Sequence, residues 1–409
     1  MLFLRLAIAM KRARPELRVA LVDYPDGYMA RNLADPDIEF IALTPNNSIR
    51  LQDSDTLVIQ SVPLWRLPEE LQVSANSKIL MWHLHPLNIL SPSRRPDINR
   101  QTFLGGISAI LRDILYFGQL RQCQQLLTLA HENHGLIFMD QENCDVACQL
   151  NNVQLSDPTF VPVPSLEPQL KWPKRVAHEG ELNVGWVGRL EDFKLPILFH
   201  TVDRLERICR ETGRSIIFHI AGDGPGLDAL KVREKRLRGV GSKLQLYLDG
   251  VIPAEKLDQW LCERVQILFA MGTAALDGAK NTIPTVLLDF SYSQINGDYV
   301  YRFLTATEGY TLGRLIKMEQ LQPGNTSLEE ILKSVEASPT ELGHAARSYF
   351  ETNHSLDKVT EKFQSALDDC EFTGAKVEAG RLRRPDLILS IYLYLRLFLG
   401  LSSFRIPNR

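Results

Sequence analysis

The stretch "VQILFAMGTAALDGAKNTIPTVLLDF" (265–290) decides the fold. An apolar run over 265–270 precedes small and polar residues at helical spacing, and a second apolar run follows over 285–290. Runs this short and apolar on both faces read as buried parallel strands, and the segment joining them reads as a crossover helix. One residue is out of keeping. Asp277 stands near the start of the helix among Ala274, Ala275, Gly278 and Ala279, where a helix that only covered a sheet would carry Leu or Ile.

Outward from this unit the alternation repeats. "NVGWVG" (183–188) precedes a helical stretch over about 194–211, and "SIIFHIAG" (215–222) precedes a helix starting near Pro225, a good first-turn residue. "LQLYLDG" (244–250) precedes "PAEKLDQWLCE" (253–263). The first half of the chain carries strand candidates at 18–23, 39–43, 56–62, 78–83 and 135–139, with a helical pattern over 107–130. Between the halves, "FVPVPSLEPQLKWPKR" (160–175) is rich in proline, and its later part reads as a linker. The expectation is an α/β chain of two Rossmann-like doubly wound domains, with ligands at the C-terminal ends of the strands.

Composition sets limits on partners. The 409 residues are 44% hydrophobic with a net charge of −3, which gives no basic field for nucleic acid. Six cysteines without a CxxC suit reduced thiols, and no His, Cys, Asp and Glu cluster has metal-ligand spacing. The opening "MLFLRLAIAMKRAR" has its charges after the apolar stretch, the reverse of a secretory signal. A cytoplasmic location is therefore expected.

Three strand ends carry chemistry. In "GWVGRLEDFK" (185–194), Gly185 and Gly188 allow close backbone approach, while Arg189 and Lys194 bracket the turn into a helix. Two cations beside a helix N-terminus suit a diphosphate, although the same pair also reads as solvated basic residues near a turn. In "AGDGPGLDAL" (221–230), Gly222, Gly224 and Gly226 supply a tight turn, a weak signal by itself. If Thr273 caps the helix of the opening stretch, Asp277 lies one turn in, where it can accept hydrogen bonds from vicinal hydroxyls. The alternative is an acid favoured early in a helix by the macrodipole.

Taken in order, "VGRLEDFK", "GDGPGLDAL", "LDGVIPAEKLDQWL" and "MGTAALDGAKNTIPTVLLD" resemble the nucleotide-sugar half of GT-B glycosyltransferases of the retaining family 4 group. There the pattern runs GxxGRLxxxK, then GxGP, then an E-x7-E segment. The resemblance covers residues 181–290 and extends to "HAARSYFETNHSLDKVTEKFQSAL" (344–367); before residue 181 it rests on strand layout. It implies two Rossmann-like domains facing a cleft: an acceptor-side domain over 1–164, a linker over 165–180 and a nucleotide-sugar domain over 181–343. Closing helices over 344–380 and a basic, apolar tail over 381–409 follow. It implies that Arg189 and Lys194 are catalytic and, with Gly188, Gly224, Thr273 and Asp277, bind the donor. Asp277 falls where the second Glu of E-x7-E holds the ribose, whereas the first Glu falls at Phe269, which accepts no hydrogen bond.

In the first domain the resemblance implies an opening strand and glycine-rich loop, but "LFLRLAIAMKRARPEL" already looks like the helix that follows them. Either the chain is truncated at its start or it dispenses with that loop. His83 and His85 in "MWHLHPLN" (81–88) are each read as structural or as a contact to the transferred sugar, and His85 is carried as a catalytic candidate. "DSD" (53–55) is similar to a metal-binding DxD but precedes its strand, the wrong end for a site. The apolar segment 387–401, interrupted by Arg396, falls short of the roughly 20 residues of a spanning helix. It reads equally as a peripheral membrane-surface segment and as a helix packed on protein. The expected activity is metal-independent hexosyl transfer, without a cofactor, from a nucleotide-sugar to a glycan or lipid-linked acceptor of the cell envelope. The alternatives are a catalytically silent assembly subunit and a sugar-nucleotide epimerase.

Overall fold

The computed structural model describes residues 1–91, 116–168, 180–316, 327–388 and 390–391. The chain divides into two units, one of residues 1–161 with 360 onward and one of residues 162–359. The helical pattern over 107–130 is described from Phe117. Residues 107–115, the linker over 169–179, and 389 and 392–409 of the tail lie outside the described residues, and most of the membrane-surface segment with them.

The first unit runs α1 (Leu2–Ala13), β1 (Val19–Asp23), α2 (Tyr28–Asn32), β2 (Ile38–Ala42), β3 (Ile49–Arg50), β4 (Thr56–Gln60), β5 (Leu71–Gln72), β6 (Lys78–His83), α3 (Phe117–Glu132), β7 (Leu136–Phe138), α4 (Gln141–Asn151) and β8 (Thr159–Phe160). All five expected strands form. They do not make one sheet. The order β4-β6-β7-β8 is a parallel sheet, while β1 and β2 are a separate parallel pair and β3 pairs with β5. Among the described residues no strand joins the β1–β2 pair to the β4 sheet by hydrogen bonds. Helix α1 touches both pieces instead. Its Leu4 and Ala7 pack on Leu21 and Ile38, and the Phe3 ring meets Trp82 of β6 edge-on at 6.1 Å.

The second unit runs β9 (Leu182–Val187), α5 (Leu195–Thr212), β10 (Ile216–Ala221), α6 (Leu227–Gly239), β11 (Leu244–Gly250), α7 (Ala254–Arg264), β12 (Ile267–Ala270), α8 (Thr273–Lys280), β13 (Thr285–Leu287), β14 (Arg302–Phe303), α9 (Leu328–Ala337) and α10 (Pro339–Asn353). The chain then continues through α11 (Leu356–Asp369) and α12 (Gly374–Ala379). From Thr360, within α11, it belongs again to the first unit, where Ile79 N–H donates to Phe372 O at 2.8 Å and Gly374 N–H to Ser77 O at 3.0 Å.

Local chemistry explains the helices that matter here. Pro196 sits in the first turn of α5, where its missing N–H costs nothing, and Gly213 ends the helix at φ 73°. Between them Ile197, Leu198, Val202, Leu205 and Ile208 recur at helical spacing and are buried against β9 and its neighbours. Helix α8 comes still closer to the sheet. A Cβ on Gly278 would stand 2.5 Å from Thr285 Oγ1, so the small residues of "TAALDGAK" serve helix–sheet packing.

The sheet order of the second unit is β11-β10-β9-β12-β13-β14, parallel except for β14. From β9 the chain builds outward to β10 and β11, then returns to the other side of β9 with β12 and β13. The order therefore reverses between β9 and β12, whose residues Trp186 and Phe269 face each other in register. Among the described residues no helix is long and apolar enough to cross a membrane. Leu387, Ile388 and Ile391 are exposed.

Candidate functional site

The reversal between β9 and β12 is a topological switch point, the place where an open α/β sheet leaves a crevice beyond its strand ends. Two of the three strand ends singled out in the sequence flank it. The turn after β9 holds Gly188, Arg189 and Lys194, and the turn after β12 holds Gly272 and Thr273.

Gly188 adopts φ 152°, a region closed to other residues. On the side where a side chain would stand, a Cβ would lie 3.5 Å from Lys194 Nζ and 3.9 Å from Trp186 Nε1. Lys194 is half-buried at the N-terminus of α5, and its pKa is lowered by burial and then by Arg189, against the pull of Glu191. Its ammonium lies 5.7 Å from the centre of the Phe193 ring. Arg189 reaches into solvent, 81% exposed, with Glu191 3.4 Å from its guanidinium. The two cations thus differ: one is enclosed and close to the turn, the other exposed and already paired.

The glycine-rich turn after β10 is locked to the turn after β9. Gly188 N–H donates to Ala221 O, Leu190 N–H to Asp223 O, and Gly226 N–H to Leu190 O, at 2.9 to 3.0 Å. A Cβ on Gly222 would fall 2.0 Å from Gly188 O, and one on Gly224 would fall 2.9 Å from Leu190 O. Gly224 therefore has a structural reason to be glycine: it lets the two turns nest.

Helix α8 begins at Thr273, which follows Gly272 at φ 62° and makes no side-chain cap bond. Thr273 is exposed and is the first helical residue rather than the cap, because Gly272 holds the non-helical position that a cap residue occupies. Asp277 stands one turn in, as expected, but with a partner the sequence reading did not assign. Lys280 Nζ lies 3.0 Å from Asp277 Oδ1 and 3.1 Å from Asp258 Oδ1 of α7, and all three side chains are largely buried. Asn281 Nδ2 donates to Asp258 Oδ1 and to the Asp277 carbonyl, both at 2.8 Å. Burial acts to lower the Lys280 pKa, but Asp277 and Asp258 outweigh it and raise it. The spacing of Asp277 and Lys280, three apart on one helix, was a legible signal. Phe269, at the other acidic position of the motif, is fully buried against Tyr301.

A second buried network went unread in the sequence. Asp289, two residues past β13, accepts two bonds from the Arg302 guanidinium at 2.6 and 2.7 Å, and one from the Arg314 N–H at 2.9 Å. It fixes the loop that carries Phe290 and Tyr292 against Phe193. Ser291 N–H also donates to Phe193 O at 3.0 Å, so the residue preceding Lys194 is held from the far side.

In the first unit, His83 ends β6 fully buried, its Nδ1 2.7 Å from Ser61 Oγ. Burial, and then His85, push its pKa down to about 3, so it is neutral. His85 is exposed, and its Nδ1 accepts from the Leu87 N–H at 3.1 Å. Among the described residues no group of three or more His, Cys, Asp and Glu could hold a metal ion.

No protein-family model and no curated protein matches the chain. Solved structures do. A glycosyltransferase from Rickettsia africae is 11% identical, with a TM-score of 0.50 over 90% of this chain and 94% of that one. HepE of Anabaena, solved with UDP, is 11% identical at a TM-score of 0.46 over 89% of this chain and 96% of that one. TarM of S. aureus, solved with fondaparinux, α-GlcNAc-glycerol and UDP, is 16% identical at 0.38, over 60% of this chain and 46% of TarM. This chain thus spans less than half of TarM's length. The neighbours are GT-B glycosyltransferases, and the Rickettsia structure, at a TM-score of 0.50, shows the fold class of this chain: α/β, with two Rossmann-like domains.

Proposed function

We propose that the chain is a retaining glycosyltransferase that moves a hexosyl group from a nucleotide-sugar to a glycan or lipid-linked acceptor of the cell envelope. One observation carries the reading. At the switch point of the second unit, the half-buried Lys194 ammonium stands over a glycine that leaves space beside it. An enclosed cation at a helix N-terminus is suited to a diphosphate, since the helix dipole and amide donors add to its charge.

In the proposed mechanism Lys194 and Arg189 hold the donor diphosphate across the Gly188 turn. As the glycosidic bond breaks, negative charge grows on the departing nucleoside diphosphate, and fixed cations aimed there lower the barrier without a metal ion. Asp277 would accept hydrogen bonds from the donor ribose. Its pair with Lys280 orients the carboxylate, and a carboxylate has about four lone-pair sites, so one ion pair does not exhaust them. Thr273 and Gly224 are the further donor-side candidates, and His85 is the acceptor-side one.

The test is equilibrium binding of nucleoside diphosphates and their hexose conjugates, followed by transfer to envelope lipid and glycan extracts in the presence of EDTA. One donor should bind, and NMR of the product should show the donor's anomeric configuration. Unchanged binding in the doubly substituted Arg189→Ala, Lys194→Ala protein would sink the diphosphate assignment. Phe269 favours a second reading, a nucleotide-binding assembly subunit, because a buried aromatic occupies an acidic position of the motif. Tight binding without transfer to any extract would select it.

A further inference from the structure

We infer that Trp186 is a ligand-binding residue of the Gly188 turn, its indole N–H donating to the same phosphate oxyanion that Lys194 holds. The inference rests on the diphosphate reading above and adds a donor that reading does not contain.

Trp186 lies on β9, two residues before the turn, with 1% of its surface exposed. Its Nε1 is buried and has no hydrogen-bond partner among the described residues. Buried indole N–H groups ordinarily find an acceptor. The rest of the ring needs none: it is packed in the core with Ile197, Phe218, Ile220 and Phe269.

The position of the N–H sets Trp186 apart. Among the described residues, and setting aside its chain neighbours Val187 and Arg189, Lys194 Nζ at 3.5 Å and Trp186 Nε1 at 3.9 Å are the atoms within 4 Å of the point where a side chain on Gly188 would begin. Both are donors. An ammonium has no lone pair to offer an indole N–H, so neither satisfies the other. What fits two N–H donors beside a residue without a side chain is an acceptor brought from outside, and a phosphate oxyanion accepts several hydrogen bonds at once. The glycine leaves the room, the lysine supplies charge, and the indole supplies direction. A phenylalanine at 186 would keep an apolar ring in the core, with a small cavity, and lose the donor.

The probe is inorganic pyrophosphate, with UDP, GDP, ADP and CDP alongside. In the whole protein labelled with ¹⁵N at its indoles, pyrophosphate should shift the Trp186 Nε1–H signal, assigned through its own backbone. Trp186→Phe should bind about 10-fold more weakly, in keeping with loss of one hydrogen bond to a charged group, when compared at a temperature where both proteins are folded, since the smaller ring also leaves a cavity that lowers its melting temperature. Should binding depend on Lys194 while the Trp186 signal stays still and Trp186→Phe binds as tightly as the unaltered protein, the indole assignment alone is overturned. Wild-type-like binding in Lys194→Ala overturns the diphosphate reading, and absence of binding by the unaltered protein overturns both. The wild-type spectrum decides the matter even where Trp186→Phe does not fold.

Discussion

Lys280 Nζ sits 3.0 Å from Asp277 Oδ1, three residues away on α8, and 3.1 Å from Asp258 Oδ1 on α7. The acid that looked misplaced in a crossover helix is thus one of three members of a buried charge cluster joining two helices. Removing one member of such a cluster leaves the others desolvated without compensation, at a cost of about 3 to 5 kcal/mol. Lys280→Met is therefore expected to lower stability by about that amount, since it strands two carboxylates. Urea unfolding measures it. Asp277→Asn keeps one carboxylate for the lysine and should cost less, so a ribose role shows as weakened nucleotide binding beyond its change in stability. An Asp277→Asn protein that is destabilised yet binds nucleoside diphosphate normally would leave Asp277 with packing duty alone.

The two cations of the Gly188 turn should contribute unequally. Arg189 is 81% exposed and paired with Glu191, so solvent and salt screen its attraction for an anion. Lys194 is enclosed. Lys194→Ala is expected to weaken nucleoside diphosphate binding by about 10- to 100-fold, the worth of a hydrogen bond to a charged group, and Arg189→Ala by less. Calorimetry at low and high salt separates them, and equal losses at both salt levels would contradict the difference in enclosure.

Binding should also weaken at alkaline pH. Burial, then Arg189, lower the Lys194 pKa below its ordinary 10.5, so the free protein loses this charge earlier than an exposed lysine would. An anion prefers the protonated form, so affinity falls as pH rises through the lowered pKa, and binding is accompanied by proton uptake there. Lys194→Arg keeps its charge throughout and should flatten the alkaline limb. The same steep limb in Lys194→Arg would assign it elsewhere.

Gly222→Ala should act on folding before it acts on any ligand. Its φ is 150°, and the new methyl would fall 2.0 Å from the Gly188 carbonyl oxygen, a backbone atom that cannot swing aside. A loss of about 2 kcal/mol or more is expected, from backbone strain and from opening the bonded turns. Gly224→Ala, at φ 148° and 2.9 Å from Leu190 O, should follow in the same direction. Chemical denaturation checks both, and an unchanged midpoint would show that the turns do not nest as described.

Acid should destabilise both units. Burial holds His83 neutral down to about 3, and His200 and His354 down to about 4, against an ordinary 6.5. Between those values and 6.5 the unfolded chain binds protons that the folded protein does not, so stability falls as pH drops through that window. The slope is at most about 1.4 kcal/mol per pH unit for each histidine. Asp140 works the other way: burial raises it to about 6, so between 6 and 3.8 the folded state binds the extra proton and gains stability on acidification. Three histidines against one aspartate leave a net loss. Urea midpoints at pH 7, 6 and 5 should fall in that order, and His83→Gln should lessen the slope, whereas a flat series would place these rings in water.

Much of the fold was legible because its signals are local. The runs at 78–83 and 183–188 are buried along both faces, which a strand between helix layers must be, while 244–250 alternates as an edge strand does, and each forms a strand within a residue or two of its expected bounds. Pro196 and Gly213 punctuate α5 by their own backbone preferences. The break between β1 and β4 was not legible as a break. Both segments read as good strands, and strand pairing is a property of edges brought together, not of either sequence.

By itself, the sequence determined which residues stand at the strand ends of the second unit, because apolar period and turn chemistry fix where strands stop and helices start. Only the tertiary structure decided what each of those residues faces. Asp277, through Lys280, meets Asp258 on another helix, and Gly222 meets the Gly188 carbonyl. Those meetings depend on sheet order and register, which bring together groups tens of residues apart, and a charge or a hydrogen bond acts only over a few ångströms.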